Sequence, residues 1–333
     1  DIIINLDNNT DKEGVSLGPW QPLSANIASL DGNGKKITFT GKTLNVAVQE
    51  STNAINTGLL FTSVGQDTIL KNIVINIGGL ETNTLHIKDD NIENATINFG
   101  ILAGQNDGLI YNCEIISTSA DPITGAKAFE LIVGAKYGLT FGGLVGVNNG
   151  NITNSRVGTE YFEEIANNGS STRISCYPIK IRTTGVVAGL VGVNSSKAVI
   201  SSSFVANTSI ENRSNIGDSS KTRTAGFVAT NNGTIAYSYV KGIERTILET
   251  RLRATGASVY ASGAGSVAGF AYYNGGTIHD CYSNIECKSI SSAVAGFVYD
   301  TSSGAVYQCY SASKVESEVQ TTLATELPFI GVG

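Results

Sequence analysis

The sequence predicts an all-β protein that folds as a right-handed parallel β-helix, a solenoid with loop insertions. Three observations predict it: a motif that returns at variable spacing, a composition rich in short polar residues and glycine, and the lack of a helical period over most of the chain. Charged residues make up only 15 % of the 333 residues, against about 25 % in an average globular domain. Thr, Ser, Asn and Gly fill the difference, and they suit stacked strands and turns better than amphipathic helices.

The motif reads Gly or another small residue, two or three apolar residues, Asn, any residue, Gly, any residue, Ile, two residues, then Ser or Cys. Its copies cover residues 101–113, 143–155, 189–203, 226–238, 269–281 and, in degenerate form, 296–309. The motif Asn is spaced by 42, 46, 37 and 43 residues, with 27 more to Thr301, at Asn106, Asn148, Asn194, Asn231 and Asn274. A β-helix tolerates such variation because each corner of a coil can extrude a loop. The shortest interval is near one bare coil, and the longer ones hold a coil plus an insertion, or nearly two coils.

One copy predicts a strand, a tight turn and a second strand. We expect the turn to be the Asn-x-Gly segment, with its Gly in the positive-φ region. Stacked coils place equivalent residues about 4.8 Å apart, so like residues should form ladders. The motif Asn should form one ladder with amide hydrogen bonds between rungs, and a second, inward ladder should contain Ile110, Ile152, Ile200, Ile235 and Ile278.

The copies resemble the GLUG motif, named for its Gly-Leu-any-Gly core, here Gly143-Leu144-Val145-Gly146 and Gly189-Leu190-Val191-Gly192. The segment Trp20-Gln21-Pro22-Leu23, followed by Leu30 to Ile37, resembles the opening of such regions. The resemblance covers residues 15–315. It implies the β-helical part of a bacterial surface or secreted protein, adhesin-like or belonging to the non-catalytic part of some immunoglobulin A peptidases, and it implies no catalytic residue.

We predict one domain over residues 1–333: less regular N-terminal coils or a cap over 1–60, repeat coils over 61–315 and a tail over 316–333 that packs on a neighbour or takes part in assembly. The spacers 159–184, 206–224 and 241–262 are longer and more polar than a coil needs. Within the last one, residues 243–253 have an amphipathic period that fits either a short helix or a strand pair. Loops on a rigid scaffold carry recognition, so binding is expected in these spacers.

Candidate chemistry is sparse. Polysaccharide-cleaving β-helices use carboxylates and Ca²⁺, and the candidates here are Asp280, Glu286 and Asp300, then Asp89, Asp90 and Glu93. The segment Asp31-Gly32-Asn33-Gly34 lacks the downstream Glu of a calcium loop. Neither His86 nor His279 belongs to a zinc-protease HExxH motif. We expect solvated turns and an outward-facing His279, and we assign no catalytic, cofactor-binding or metal-binding residue.

The five cysteines have no CxxC spacing, and their odd number excludes a fully paired disulfide framework. Cys113, Cys281 and Cys309 share one motif position with Ser155, Ser203 and Ser238, which indicates a small interior site. Buried, reduced cysteine is the favoured interpretation. Cys281 and Cys309 are also expected on adjacent rungs, where a disulfide would fit; this alternative stays open.

Two aromatic columns are expected. Phe227, Phe270 and Phe297 follow the motif Gly and should lie in the core. Tyr239, Tyr282 and Tyr310 follow the Ser or Cys position and should face outward. Packing between strands explains the tyrosines more simply than binding of sugar rings does.

The function that we expect is an extracellular or cell-surface structural and adhesive scaffold without enzymatic activity. It would be a rigid stalk that presents loops to a glycan or protein on a host or neighbouring cell, or a subunit that assembles end to end. The net charge of −6 argues against nucleic acid, and no run of about 18 apolar residues predicts a membrane span. The lack of Met at position 1 leads us to expect a longer precursor. The alternatives are a polysaccharide lyase or hydrolase on the same fold, and the non-catalytic region of a larger secreted protease.

Overall fold

A computed structural model describes most of the chain, and every regular element in the described part is a β-strand. The described residues are 1–11, 13–45, 54–80, 84–88, 95–118, 128–132, 138–159, 164–167, 171–174, 179–214, 222–242, 246–247, 252–253, 258–263, 265–318, 326–327 and 329–332.

The strands build a parallel β-helix, in which a complete coil contributes one strand to each of five parallel sheets, S1 to S5 in chain order. S1 contains β8 Ala54–Gly58, β13 Thr96–Gly100, β18 Gly138–Gly142, β25 Val186–Ala188, β30 Arg223–Ala225, β37 Ser266–Ala268, β42 Val294–Ala295 and β47 Glu326–Leu327. S2 contains β4 Leu23–Ala25, β9 Phe61–Val64, β14 Ala103–Asn106, β19 Val145–Asn148, β26 Val191–Asn194, β31 Val228–Asn231, β38 Ala271–Asn274, β43 Val298–Asp300 and β48 Ile330–Val332. The prediction of a β-helix is confirmed.

The next two sheets continue the coil. S3 contains β5 Ser29–Asp31, β10 Ile69–Lys71, β15 Leu109–Tyr111, β20 Asn151–Thr153, β27 Val199–Ser201, β32 Thr234–Ala236, β39 Thr277–His279 and β44 Ala305–Tyr307. S4 contains β1 Ile2–Asn5, β6 Lys36–Thr40, β11 Val74–Asn76, β16 Glu114–Ile116, β21 Arg156–Val157, β28 Phe204–Ala206, β33 Tyr239–Lys241, β40 Tyr282–Asn284 and β45 Tyr310–Ser311.

The fifth sheet and three hairpins complete the elements. S5 contains β7 Thr43–Asn45, β12 Thr84–Lys88, β17 Ala128–Ile132, β24 Ile179–Thr183, β29 Thr208–Asn212, β36 Ser258–Ala261, β41 Glu286–Ser289 and β46 Val315–Ser317. The antiparallel hairpins pair β2 Asn9–Thr10 with β3 Ser16–Gly18, β22 Glu164–Asn167 with β23 Ser171–Ile174, and β34 Thr246–Ile247 with β35 Leu252–Arg253. The strands β34 and β35 decide between the two forms left open for residues 243–253: a strand pair is present.

A buried asparagine ladder runs along S2. Its members are fully buried, and each side-chain amide donates to the side-chain oxygen on the next rung, at 2.7 Å from Asn106 to Asn148, 2.9 Å to Asn194, 2.8 Å to Asn231 and 2.8 Å to Asn274. Asn274 continues the series to the hydroxyl of Thr301 at 3.2 Å. Partners on successive rungs are 42, 46, 37, 43 and 27 residues apart, so each interval is a single coil and none holds two.

The predicted apolar ladders are confirmed. The inward isoleucines of S3 stack in register and are fully buried, at Ile110, Ile152, Ile200, Ile235 and Ile278. The core phenylalanines stack face to face, with ring centroids 4.6 Å apart for Phe227 and Phe270 and 4.8 Å for Phe270 and Phe297. Phe329 extends the column at 5.0 Å. Like residues therefore pack on like residues along the axis of the solenoid.

The prediction that the motif glycine adopts positive φ is wrong. Gly108, Gly150, Gly233 and Gly276 are not among the positive-φ glycines; the positive φ falls four residues later, at Asn112, Asn154, Tyr237 and Asp280, with values from 50° to 52°. The glycine is needed for another reason: a Cβ on Gly276 would lie 2.0 Å from the carbonyl oxygen of Gly233 on the preceding rung. Close approach of neighbouring coils, and not turn geometry, excludes a side chain there.

Large differences in coil length occur at two corners only. The link from S1 to S2 has two residues in every coil, and the links from S2 to S3 and from S3 to S4 have two to four. The link from S4 to S5 ranges from the single residue Asn207 to residues 158–178, and the link from S5 to S1 reaches residues 213–222. The three predicted spacers therefore each contain one strand of S5, namely β24, β29 or β36, beside an insertion.

The asparagine ladder predicts a large cost for a single missing amide. Asn194→Ala removes two hydrogen bonds between rungs. The buried amide of Asn148 and the oxygen of Asn231 then keep only longer bonds, to the Gly150 carbonyl at 3.2 Å and from the Gly233 amide at 3.3 Å, so we expect the free energy of unfolding to fall by about 2–4 kcal/mol. Asn232→Ala, at the exposed neighbouring position, should stay within about 0.5 kcal/mol of the wild type. Urea denaturation followed by circular dichroism measures both. Equal effects of the two substitutions would contradict a stabilising role for the ladder.

Candidate functional site

The outer face of S5 lies between the two corners that vary in length. All three hairpins follow a strand of S4: β2 and β3 follow β1, β22 and β23 follow β21, and β34 and β35 follow β33. The insertion of residues 213–222 leaves from the other edge of S5, after β29. Insertions therefore leave the solenoid on both sides of one sheet, which makes the outer face of S5 and its flanking insertions the candidate functional site.

A column of charged residues runs down the outer face of S5. In-register neighbours place Glu130, Arg182, Glu211, Tyr260, Lys288 and Glu316 on successive rungs. Glu211 is its centre: its carboxylate accepts hydrogen bonds from Arg182 at 2.8 Å and from Arg213 at 2.9 Å. Arg213 also pairs with Glu130 at 3.0 Å. Apart from Tyr260, opposite charges follow one another along the stack, which avoids the repulsion that a column of like charges would suffer.

Two pKa shifts follow from this packing. Burial acts to raise the pKa of the Glu211 carboxyl, but the hydrogen bond from Arg213 and the positive charges of Arg182 and Arg213 outweigh it and lower that pKa. Burial lowers the pKa of Lys180, and the charge of Arg182 adds to the effect. The Glu211 carboxylate is thus held ionised by its two arginines, and its acceptor capacity is used within the column.

A second column, aromatic at one end, covers the outer face of S4. Glu114 pairs with Arg156 at 2.8 Å, and the Arg156 guanidinium lies over the Phe204 ring at 5.8 Å. The rings of Phe204, Tyr239, Tyr282 and Tyr310 then stack with centroids 4.8 to 5.1 Å apart and interplanar angles of 2° to 7°. The outward placement of the tyrosines is confirmed: the next residues along the strands, Val240 and Ser283, point inward and are fully buried, whereas Tyr310 is 58 % exposed.

The stacking limits what this aromatic column can bind. A sugar ring packs on the face of an aromatic ring, but each inner ring here has its faces covered by its neighbours, with centroids 4.8 to 5.1 Å apart. Tyr310, at the end of the column, is 58 % exposed and stacks on one side only within the described residues. The arrangement supports a packing role for the column, and among the described residues only one face of the Tyr310 ring is open to a sugar.

The carboxylates that the sequence singled out do not converge. Asp280 lies at the corner between S3 and S4 and pairs with Nδ1 of His279 at 2.8 Å. Glu286 lies on S5 and pairs with Lys314 at 3.2 Å. Asp300 ends β43 on S2, where Oδ1 accepts a hydrogen bond from the Ser302 amide at 3.0 Å. They belong to three sides of the coil. Asp89, Asp90 and Glu93 lie outside the described residues.

The other candidates are structural in this geometry. Asp31 accepts hydrogen bonds from the Asn72 side chain at 2.9 Å and the Asn33 amide at 2.8 Å, and these bonds lower the pKa of its carboxyl. His279 faces outward and its ring stacks on Tyr307 at 5.1 Å. His86 belongs to β12, but its side chain lies outside the described part of the chain. Among the described residues, no group of three His, Cys, Asp or Glu side chains is placed to hold a metal ion.

Sequence reasoning missed the S5 column because it treated the spacers as loops. A signal was present: Ile179-Lys180-Ile181-Arg182-Thr183 alternates apolar and charged residues, and Thr208 to Asn212 repeats the alternation. Such a period of two is typical of a strand with one buried face. The structure buries Ile179, Ile181 and Ile210 in the core.

Comparison of the chain with protein-family models, curated proteins and solved structures gives no match. None of the described residues forms a helix that is long and apolar enough to cross a membrane.

The Glu211 network gives a pH-dependent prediction. A carboxyl whose pKa is lower in the folded state stabilises the fold above its unfolded pKa, near 4.5, and loses that contribution as the pH falls through the folded value. At neutral pH, Glu211→Gln should lower the free energy of unfolding by about 0.5–1 kcal/mol, because the pairs are partly exposed. The difference from the wild type should shrink as the pH falls below 4.5.

Thermal melts of both proteins across this pH range provide the measurement. Glu318→Gln is the matched control, since Glu318 is 53 % exposed and pairs with Lys288 alone among the described residues. It should have almost no effect. A Glu211→Gln difference that persists unchanged into acid would show that the carboxylate charge does not matter.

Proposed function

We propose that this protein is an extracellular structural and adhesive scaffold, a rigid β-helical stalk that presents insertions for binding. One observation carries the proposal: S1 to S4 are joined by links of two to four residues, whereas in the complete coils every longer insertion leaves at an edge of S5. The short links between S1 and S4 keep the coils in register. The edges of S5 carry insertions whose length does not affect the stacking of the coils. Binding residues are commonly found on loops that a rigid scaffold positions.

The resemblance to GLUG-motif regions supports the same proposal, since such regions occur in bacterial surface and secreted proteins. Extracellular or cell-surface placement is therefore part of the proposal, with a glycan or protein of another cell as the ligand. No specific observation favours the polysaccharide-active alternative, because Asp280, Glu286 and Asp300 face three different sides of the coil.

Removal of one insertion tests the proposal. Deletion of residues 159–178 joins β21 to β24 through Gly158, as Asn207 joins β28 to β29 in the next coil. Both linking residues have positive φ, 81° for Gly158 and 49° for Asn207, so the short link fits the corner. We expect the variant to fold with an unchanged β-rich circular dichroism spectrum.

Binding is measured on arrays of cell-surface glycans and extracellular-matrix proteins. We expect the wild type to bind at least one probe and the deletion variant to lose at least tenfold in affinity, about 1.4 kcal/mol. Tyr111→Ala, on S3, is the control and should bind as the wild type does. Turnover of a polysaccharide by the wild type, or equal binding by the deletion variant, would overturn the proposal.

The first coil suggests how such stalks would associate. Ile2 continues the inward column of Ile37 and Ile75 but is 56 % exposed, and Leu23 continues the column of Phe61 but is 51 % exposed. Within the described residues, β1 and β4 each pair with a strand on one side only, and the apolar side chains of Ile2 and Leu23 lie beside these open edges, where a further coil could pair. We infer end-to-end association, in which the last coil of one copy packs on the first coil of another.

Sedimentation velocity over a range of concentrations tests this association. The double variant Ile2→Lys and Leu23→Lys puts two charges into the interface and should abolish concentration-dependent growth. Ile3→Lys is the matched control: Ile3 is on the same strand, points outward and is 73 % exposed, so association should persist. A wild type that stays monomeric at every concentration, or an equal effect of Ile3→Lys, would contradict end-to-end packing.

A further inference from the structure

The motif position that accepts Ser or Cys has a defined geometry. The Ser155 hydroxyl oxygen accepts a hydrogen bond from the Cys113 amide at 3.1 Å, and Ser203 does the same for the Ser155 amide at 3.1 Å. The side-chain atom of each rung therefore lies over the backbone of the preceding rung. Where two successive rungs both carry cysteine, the sulfur of the second cysteine therefore lies close to the backbone of the first.

Cys281 and Cys309 are that case. The residues beside them pair in register, His279 with Tyr307 and Tyr282 with Tyr310. Neighbouring strands of a sheet lie about 4.8 Å apart, within the range of Cα separations that a disulfide spans. Sγ of Cys309 lies 3.8 Å from the Ile278 carbonyl oxygen on the preceding rung. The Cys281 thiol donates to the His279 carbonyl oxygen at 3.0 Å and the Cys309 thiol to the Tyr307 carbonyl oxygen at 3.2 Å, and the two sulfurs are close enough for each to shift the pKa of the other.

The two thiols are not equivalent. Cys281 is 2 % exposed, and the neighbouring Cys309 thiol, together with burial, raises the pKa of its thiol. Cys309 is partly exposed, and the neighbouring Cys281 thiol lowers the pKa of the Cys309 thiol, although burial and the charge of Asp280 oppose this. Cys309 is therefore the thiol that reaches solvent and forms the thiolate more readily, which is the species that attacks disulfides.

Other described cysteines lack such a neighbour. Cys113 precedes Ser155 on the next rung. Cys287 pairs in register with Val259 on one side and Val315 on the other. Cys281 and Cys309 thus form the one pair of stacked thiols in the part of the chain that the structure describes.

We propose that Cys281 and Cys309 form a reversible redox site, which a low-molecular-weight disulfide such as oxidised glutathione closes to a disulfide between two successive coils. The Cys309 thiolate attacks one sulfur of the oxidant, breaks its S–S bond and releases one thiolate, which takes up a proton. The Cys281 thiol then loses its proton and attacks Sγ of Cys309, and the second glutathione thiolate leaves. One disulfide is reduced to two thiols while two protein thiols become one disulfide, so electrons and protons balance.

The bond would tie the last complete coil to its neighbour. That coil carries β44, β45 and β46, and each of them is the last described strand of its sheet. The next strands, β47 and β48, extend only S1 and S2. A covalent link across the rungs restricts separation of these strands, so the oxidised protein should show slower amide hydrogen exchange in residues 305–317 than the reduced protein. This inference is independent of the adhesive function.

Serine variants test the site without disturbing the fold, because serine occupies the same position at Ser155, Ser203 and Ser238. The folded proteins are treated with oxidised glutathione and analysed by intact mass and by peptide mapping. We expect the wild type to become about 2 Da lighter and to yield a Cys281–Cys309 cross-linked peptide. Cys113→Ser is the control and should form the same link.

The single variants separate the two roles. Cys281→Ser lacks the resolving thiol, so Cys309 should keep one glutathione and the protein should become about 305 Da heavier. Cys309→Ser should form neither product at Cys281. Three results for the wild type would overturn the proposal: no reaction, glutathione that stays on Cys309 without the internal bond closing, or a disulfide between chains. Modification of Cys281 in the Cys309→Ser protein would overturn it as well.

Discussion

In-register stacking of the coils is the constraint on which the rest of the structure depends, and the buried asparagine ladder of S2 is its clearest expression. A primary amide has two donors and an acceptor, so Asn194 can accept from one rung and donate to the next while fully buried. A shift by one residue would turn this side chain outward and leave its neighbours unsatisfied. The same register stacks the isoleucines and phenylalanines and brings glycine backbones too close for a Cβ.

The outer columns obey the same rule by different chemistry. Aromatic rings stack on S4, whereas on S5 opposite charges alternate around Glu211. In each column the rings or charged groups find their partners on neighbouring rungs, so few of them remain available to bind a ligand. In the complete coils, insertions longer than four residues leave the stack only at the edges of S5. The residues that stabilise the solenoid are thus separate from the segments that we propose bind a partner.

The sequence was sufficient to predict the β-helix, the asparagine, isoleucine and phenylalanine ladders and the outward tyrosines, because those residues recur at one motif position. The sequence led to wrong or missing predictions where one structural position is occupied by different residue types in different coils. The positive-φ corner is occupied by Asn112, Asn154, Ser202, Tyr237 and Asp280, so no residue type marks it. The strands of S5 share only alternation, and the charge column around Glu211 depends on pairings between rungs that no single segment contains.

Cysteine cross-linking across rungs tests the central claim, that each interval of the repeat is one coil, most directly. With the native cysteines replaced by serine, Thr153→Cys and Ser201→Cys should form a disulfide in the folded protein, because these two hydroxyls are 3.1 Å apart on neighbouring rungs. Thr153→Cys with Ala236→Cys should not, since Ala236 lies one rung further, about 9.6 Å along the stack. If the second pair linked and the first did not, the stacking order described for this chain would be wrong.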